Sequence, residues 1–160
     1  MVDTTETVEV ETKLYGKMQV SIKQKITFDE GLYGFEKSHI FYLLDTEDGG
    51  PFYYLQSGED KDLLFILINP YIFKKDFVLD VRKEDLNKIG ISNEKDAEKM
   101  LVFSIVTILE NSKGMTANLL GPILINTEKK VGIQALSLVD GYTTKHNIVE
   151  EMKNTSEEGE

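Results

Sequence analysis

The sequence predicts a mainly β fold: a single-domain barrel-like body, or a sandwich, of antiparallel strands with one or two short helices around residues 83–99. Three observations lead to it. Along most of the chain short apolar stretches alternate with turn signals, the pattern of all-β domains. Several of those stretches alternate apolar with polar residues or are rich in β-branched side chains. Helix signals, by contrast, are confined to one region. A length of 160 residues fits one domain, and a content of 41% hydrophobic residues is enough to bury a core without disulfide or metal.

Residues 17–28 open the series, with Met18, Val20, Ile22 and Ile26 on one face and Lys23 and Lys25 on the other. The turn Gly31-Leu32-Tyr33-Gly34 precedes a strand over about residues 38–44. A polar turn at 45–51 leads into FYYLQS at 52–57, and the charged turn GEDKD at 58–62 into LLFILINP at 63–70. The unbroken hydrophobicity of that last stretch implies a strand covered on both faces. Residues 77–81 alternate again. Residues 83–89 suit a short helix stopped by Gly90, and Ser92 or Asn93 can cap a second through about Glu98. Glu94 and Asp96 fall in its first turn, where the helix dipole favours acids. MLVFSIVTIL at 100–109 reads as a central strand, joined through NSKGM at 111–115 to a hairpin partner from Thr116 onward. LLGPILIN at 119–126 and VGIQALSLV at 131–139 form the last pair, about the charged turn TEKK.

The net charge is −10, and eight of those ten charges lie at the two ends. Residues 1–12 carry four acids and no base; residues 150–160 carry five acids against Lys153. Both segments read as acidic tails, the C-terminal one disordered, flanking a β domain over 13–149. Such tails either aid solubility or steer a basic partner. They repel phosphate backbones, so direct nucleic-acid binding is not expected. The absence of cysteine removes disulfides and thiolate chemistry and suits a reducing cytoplasm. The start, MVDTTETVEVETK, has neither the basic nor the apolar region of a signal peptide. The longest apolar run, LLFILI, is far shorter than the roughly 20 residues that span a bilayer. The expected setting is the cytoplasm, away from any membrane.

A catalytic set is not assembled. His39 and His146 stand about a hundred positions apart without metal-ligand spacing, and no cofactor is implied. Asp45, Glu47 and Asp48 with Gly49-Gly50 resemble a calcium loop only superficially, because position 56, where the closing glutamate belongs, is Gln. Ser57 lacks a nucleophile elbow. Asp76 and Asp80, four apart on an expected strand, would share a face, which allows acid–base work but commonly marks a solvated edge. Phe52, Tyr53 and Tyr54 would serve as a stacking platform only if the chain were a small nucleic-acid-binding barrel.

Several strings occur in an order and spacing similar to the FliW family. They are Gly31-Leu32-Tyr33-Gly34-Phe35, Leu55-Gln56-Ser57, the apolar strand ending at Pro70, and TANLLGPILIN with Thr116, Asn118, Leu119, Pro122, Ile125 and Asn126. Gly132 and Gln134, then Tyr142, complete the set, which runs from about Glu11 to Ile148. Two positions depart from the family pattern: Tyr33 where proline is usual, and Gly121 where alanine is usual. Gly31 and Gly34 suit backbone angles closed to other residues. Pro122 cannot donate to a ladder and marks an edge or bulge. Asn118 and Asn126 beside it either close turns or read the backbone of a partner segment at that edge.

The resemblance implies a flagellar assembly factor that is not an enzyme. It implies binding of flagellin in the cytoplasm and, alternatively, binding and antagonism of the RNA-binding translational repressor CsrA, so that flagellin translation follows export. The expected state is a monomer. Acidic patches for a partner are sought at Asp45, Glu47 and Asp48 and at Glu59 and Asp60. The competing readings are the small nucleic-acid-binding barrel, a hydrolase using Asp76 and Asp80, and a general chaperone for secreted subunits.

Overall fold

The computed structural model describes residues 6–46, 50–110 and 114–158. The strands, in chain order, are β1 (Thr7–Thr12), β2 (Gly16–Ser21), β3 (Lys25–Thr27), β4 (Ile40–Asp45), β5 (Phe52–Ser57), β6 (Leu64–Ile68), β7 (Met100–Ile108), β8 (Met115–Ala117), β9 (Ile123–Asn126), β10 (Val131–Gln134) and β11 (His146–Asn147). The α-helices are α1 (Pro70–Phe73), α2 (Lys83–Lys88) and α3 (Ile148–Glu158). Of the two architectures left open by the sequence, the barrel is the one that forms. Strands β3, β4, β5, β6, β7, β9 and β10 pair in that order, and β10 returns to β3 through one parallel pair, Val131 with Thr27.

β7 closes the barrel by an end-to-end arrangement. Met100 to Phe103 pair with β9, while Val106 to Ile108, further along the same edge, pair with β8. β8 in turn carries β11, so a small flap extends from the barrel wall. The barrel interior holds Phe28, Phe41, Leu55, Leu67, Phe103, Ile123 and Ile125, with Phe28 and Phe41 edge to face at 5.4 Å. Side-chain alternation sends the other residues outward, where three layers cover them. α1 and α3 cap Ile68, Val106 and Ala117; the α2 region covers Leu124 and Ile133; the β1–β2 hairpin lies over Leu44, Tyr42 and Tyr54. β6 thus sends Leu67 inward and Ile68 outward into a second core, which explains its unbroken hydrophobicity.

Several expectations are corrected. Residues 7–12 are not a tail but strand β1, because Val8 and Val10 pack with Val20 and Leu44 while Glu9 and Glu11 face solvent. Residues 148–158 are helix α3, anchored by buried Ile148, rather than a disordered tail. The alternating run 17–28 breaks after Ser21 into a 3₁₀ turn, Ile22–Gln24. There the Ser21 hydroxyl accepts from the Lys23 N–H and Gln24 Oε1 from the Ser21 N–H, a reciprocal cap that ends one sheet and starts another. Residues 77–81 join no ladder: the Val78 N–H donates to the Tyr142 hydroxyl, and the Asp80 carbonyl accepts from Leu138. The strand drawn over 131–139 stops at Gln134, after which Ala135 and Ser137 donate to Pro122 and Leu120. The hairpin turn expected near 111–115 lies partly outside the described residues, although its flanks, β7 and β8, do pair.

One buried hydroxyl stands without a partner among the described residues: Ser104 Oγ on β7. Ser104→Ala removes an unsatisfied polar group at nearly constant shape. It is expected to be neutral or to stabilise by up to about 1 kcal/mol in urea denaturation.

Candidate functional site

The side chains singled out in the sequence fall into two groups: amide clamps buried within the fold, and apolar groups left at the surface beside them. Asn126 is 1% exposed at the end of β9. Its Nδ2 donates to the Ile89 carbonyl at 2.7 Å, and its Oδ1 accepts from the N–H groups of Glu128 and Lys129. It therefore builds the β9–β10 turn and ties it to the end of α2. Asn118 Oδ1 accepts from Gly121 N–H at 2.8 Å and closes the turn before buried Pro122. Gln56, fully buried, accepts from the Lys13 N–H of the β1–β2 hairpin and donates to carbonyls of the turn after β5. Ser57 Oγ closes that turn by accepting from Glu59 and Asp60 N–H.

For Asn126, buried and bonded on both amide atoms, these observations favour the turn-building role over reading a partner at an exposed edge, whereas half-buried Asn118 also lines a surface groove with Tyr33 and Leu136. β9 is paired on both sides, with β10 and β7, and Pro122 precedes it rather than interrupting it. Both amide atoms of Asn126 are engaged within the chain, and Asn118 closes its turn through Oδ1. Leu119 and Leu32 are core residues. Pro70 is the first helical residue of α1, capped by Asn69, whose side chain accepts from Tyr71 N–H; that Asn-Pro pair was a readable helix start. Tyr142 stacks on Phe77 at 5.6 Å and accepts from Val78.

Gln134 is the clamp that reaches across the barrel seam. Its Oε1 accepts from Tyr33 N–H at 2.9 Å and its Nε2 donates to the Gly121 carbonyl at 3.0 Å. A side chain thus bridges the weakly paired seam between β10 and the segment after β3. Gly31, at φ +66°, shapes that segment, since any Cβ there would lie 2.5 Å from the Phe35 carbonyl oxygen. Both departures from the family pattern meet on this one side chain. A proline at 33 could not donate to Gln134, and a Cβ at 121 would sit 2.8 Å from Gln134 Nε2. Tyr33→Pro is therefore expected to cost about 1–3 kcal/mol by leaving Gln134 Oε1 without its donor, measured as a shift of the urea midpoint.

Around these clamps the surface is apolar. Tyr33 (59% exposed), Phe35 (42%) and Leu136 (41%) project beside the motif. Tyr33 and Leu136, with Phe65, Ile105, Leu120 and Gln134, line a groove of about 230 Å³. Phe35 stands edge-on to Phe65 at 5.3 Å. Residues from β6, β7, the Gly31 turn and the stretch after β10 converge there, so no local pattern could reveal it. The signal that existed was the apolar alternation of Leu136 and Leu138 past the end of β10.

The acidic candidates divide similarly. Asp45 is exposed at the end of β4, and Glu47 and Asp48 lie outside the described residues. Glu59 is a clamp rather than a free patch: its Oε1 accepts from both His39 and Ile40 N–H. Hydrogen bonds from the Ile40 and then the His39 backbone hold its carboxyl below the usual carboxylate range. A folded-state pKa below the unfolded one contributes stability above the unfolded value, about 4.3, which is lost as pH falls through the folded one. Glu59→Gln is expected to flatten that acid limb and to cost under about 1 kcal/mol at pH 7, since the group is exposed; urea titrations between pH 2 and 7 on the order of single-unit steps check it. Asp60 Oδ1 accepts from Asp62 N–H within its own turn.

No catalytic arrangement emerges around the histidines or Asp76. Thr143 N–H donates to His146 Nε2 at 2.9 Å, so the ring proton sits on Nδ1 and faces Glu151 at 2.6 Å. Both nitrogens are occupied in holding α3 to the flap, with Lys74 on the other oxygen of Glu151. His39 Nδ1 lies 3.0 Å from the Phe28 carbonyl. Asp76 pairs with Lys74, and it shares no strand with Asp80. Among the described residues no group of three His, Asp or Glu could hold a metal, and no helix is long and apolar enough to cross a membrane. Phe52, Tyr53 and Tyr54 form no common platform: Phe52 packs under α1, Tyr53 lies 5.2 Å from Phe103, and Tyr54 lies under the β1–β2 hairpin.

Comparison with known proteins agrees along nearly the whole chain. The family model described as "FliW protein" matches residues 9–148. The flagellar assembly factor FliW of Caldanaerobacter subterraneus subsp. tengcongensis is 39% identical over 147 residues, covering 91% of this chain and 96% of that one. The protein of the same name from Treponema pallidum is 41% identical over 144 residues, covering 90% and 93%. A crystal structure of the flagellar assembly factor FliW superposes with a TM-score of 0.78 at 32% identity, covering 88% of this chain and 96% of its own. With a family match over residues 9–148, relatives 39% and 41% identical along nearly their whole length and the same fold, the chain belongs to the FliW family of flagellar assembly factors, a family that is not enzymatic.

Proposed function

We propose that this protein acts in the cytoplasm, as a monomer, by binding flagellin and, in alternation, a CsrA-type translational repressor, which it antagonises. Family membership supports the flagellar setting. The observation that carries the binding reading is the groove beside the motif, where Tyr33, Phe35 and Leu136 stay exposed although buried clamps fix the backbone around them. Apolar side chains clustered on a rigid rim are what a protein partner buries. The net charge of −10 disfavours RNA itself as the ligand and would repel phosphate from a repressor held nearby.

Alternation requires that the two partners bind unfavourably together, by a coupling of about 1–3 kcal/mol or by exclusion. The test is calorimetric titration with purified flagellin and with the repressor, separately and in competition, for the native protein and for Tyr33→Ala and Leu136→Asp. The expected result is binding of each partner, displacement of one by the other, and at least about tenfold weaker binding of flagellin by the variants. Binding of neither partner would sink the reading. Equal binding of unrelated secreted subunits would replace it by a general chaperone.

A further inference from the structure

A second cavity, of about 310 Å³, opens at one mouth of the barrel, away from every motif residue except Ile125. Its apolar lining is presented by Leu43 of β4 and Leu101 of β7, backed by the buried side chains of Ile26 and Ile125. Its rim carries Lys23, Lys130 and Asp45. The other polar groups there are already committed. Thr127 Oγ1 donates to the Lys99 carbonyl, and Gln24 is used by Ser21 N–H and the Leu43 carbonyl. Among the described residues, Lys23 and Lys130 enter none of the ion pairs, which use Lys74, Arg82, Lys88, Lys99 and His146 instead.

Lys130 adds an independent observation. It is the one non-glycine described residue with positive φ, 57°. Left-handed backbone costs an ordinary side chain about 1–2 kcal/mol that glycine would avoid. A lysine at that position therefore sits on the mouth at the expense of stability, which is the direction of inference from a strained residue to a site.

We propose that the barrel mouth binds a small anion-headed amphiphile: a carboxylate on a short unbranched apolar stem. The ammonium groups of Lys23 and Lys130 would take the head, outnumbering Asp45, and the stem would cover Leu43 and Leu101. Charge-assisted contacts fix the head, and burial of the stem supplies the rest. Mouths of small barrels are a common setting for such ligands.

Hexanoate is the probe, titrated into the ¹⁵N-labelled full-length protein and followed by amide chemical shifts, with acetate and hexylammonium as comparisons. The expected result is saturable shifts confined to the neighbourhoods of Lys23, Leu43, Leu101 and Lys130. Acetate and hexylammonium should each bind at least about tenfold more weakly, since one lacks the stem and the other carries a positive head that the lysines repel. Lys130→Gly removes the ammonium while relieving the backbone, so it stays folded and should weaken hexanoate about tenfold. Lys23→Ala should do the same. The proposal is overturned if hexanoate gives no saturable shift, if hexylammonium binds as well as hexanoate, or if Lys130→Gly leaves the affinity unchanged.

Discussion

Asn126→Ala is expected to destabilise the protein by about 3 kcal/mol or more, lowering Tm by roughly 10 °C. The alanine removes three hydrogen bonds at a site 1% exposed. It leaves the Ile89 carbonyl, on a residue 2% exposed, without its donor. It also leaves the N–H groups of Glu128 and Lys129 without the acceptor that shapes the turn. Unmet buried groups cost more than the bonds themselves contribute, which places this variant among the severe ones. Asn126→Asp separates the two halves, because it retains both accepted bonds while it replaces the donation to Ile89 by a buried carboxylate oxygen that repels that carbonyl. Hydrogen exchange then locates the damage: the alanine variant should deprotect both the β9–β10 turn and the end of α2, the aspartate variant mainly the latter. A loss under about 1 kcal/mol in urea unfolding of Asn126→Ala would show that these bonds do not hold the turn.

Gly132→Ala is expected to cost about 3 kcal/mol for a different reason, overpacking. A Cβ on Gly132 would lie 2.6 Å from two ring atoms of Phe28. That ring is fully buried and wedged edge-on against Phe41, so it cannot swing aside as a flexible lysine would. The contact lies at the seam where β10 meets β3 through a single backbone pair, and any shift there opens the barrel rather than one side chain. Phe28→Leu should be destabilising alone, yet Gly132→Ala should cost markedly less in its presence. That coupling, read from a double-mutant cycle in urea, distinguishes a clash with the ring from a general intolerance of side chains in β10.

Much of this architecture was legible one element at a time. β5 matches the FYYLQS stretch end for end, and β7 was marked by its β-branched run. Gly90 stops the α2 region as expected. The breaks were harder. Apolar alternation continues from Met18 to Ile26 across two separate sheets, and only the Ser21–Gln24 cap marks the change. Residues 77–81 alternate because Phe77 is buried against Tyr71 and Tyr142, while their hydrogen bonds go to a side chain and a loop instead of a neighbouring strand. Barrel closure was not legible at all, since it depends on β7 meeting β9 and β10 meeting β3, pairings that leave no periodic trace. The family strings left the roles of their residues open. Whether Asn126 holds a turn or a partner depends on which carbonyl lies opposite, and that carbonyl belongs to Ile89, 37 positions away.

The division of β7 between two partners has a mechanical meaning. Its first half is riveted to β9 in the barrel wall, and its second half to β8, on which β11 and α3 rest. A strand cannot slide in one register and stay fixed in the other. Glu151 of α3 is accordingly held from two directions, by Lys74 at the end of α1 and by His146 on β11, whose partner β8 hangs on the same strand that closes the barrel, so the helix and the closing joint share one support.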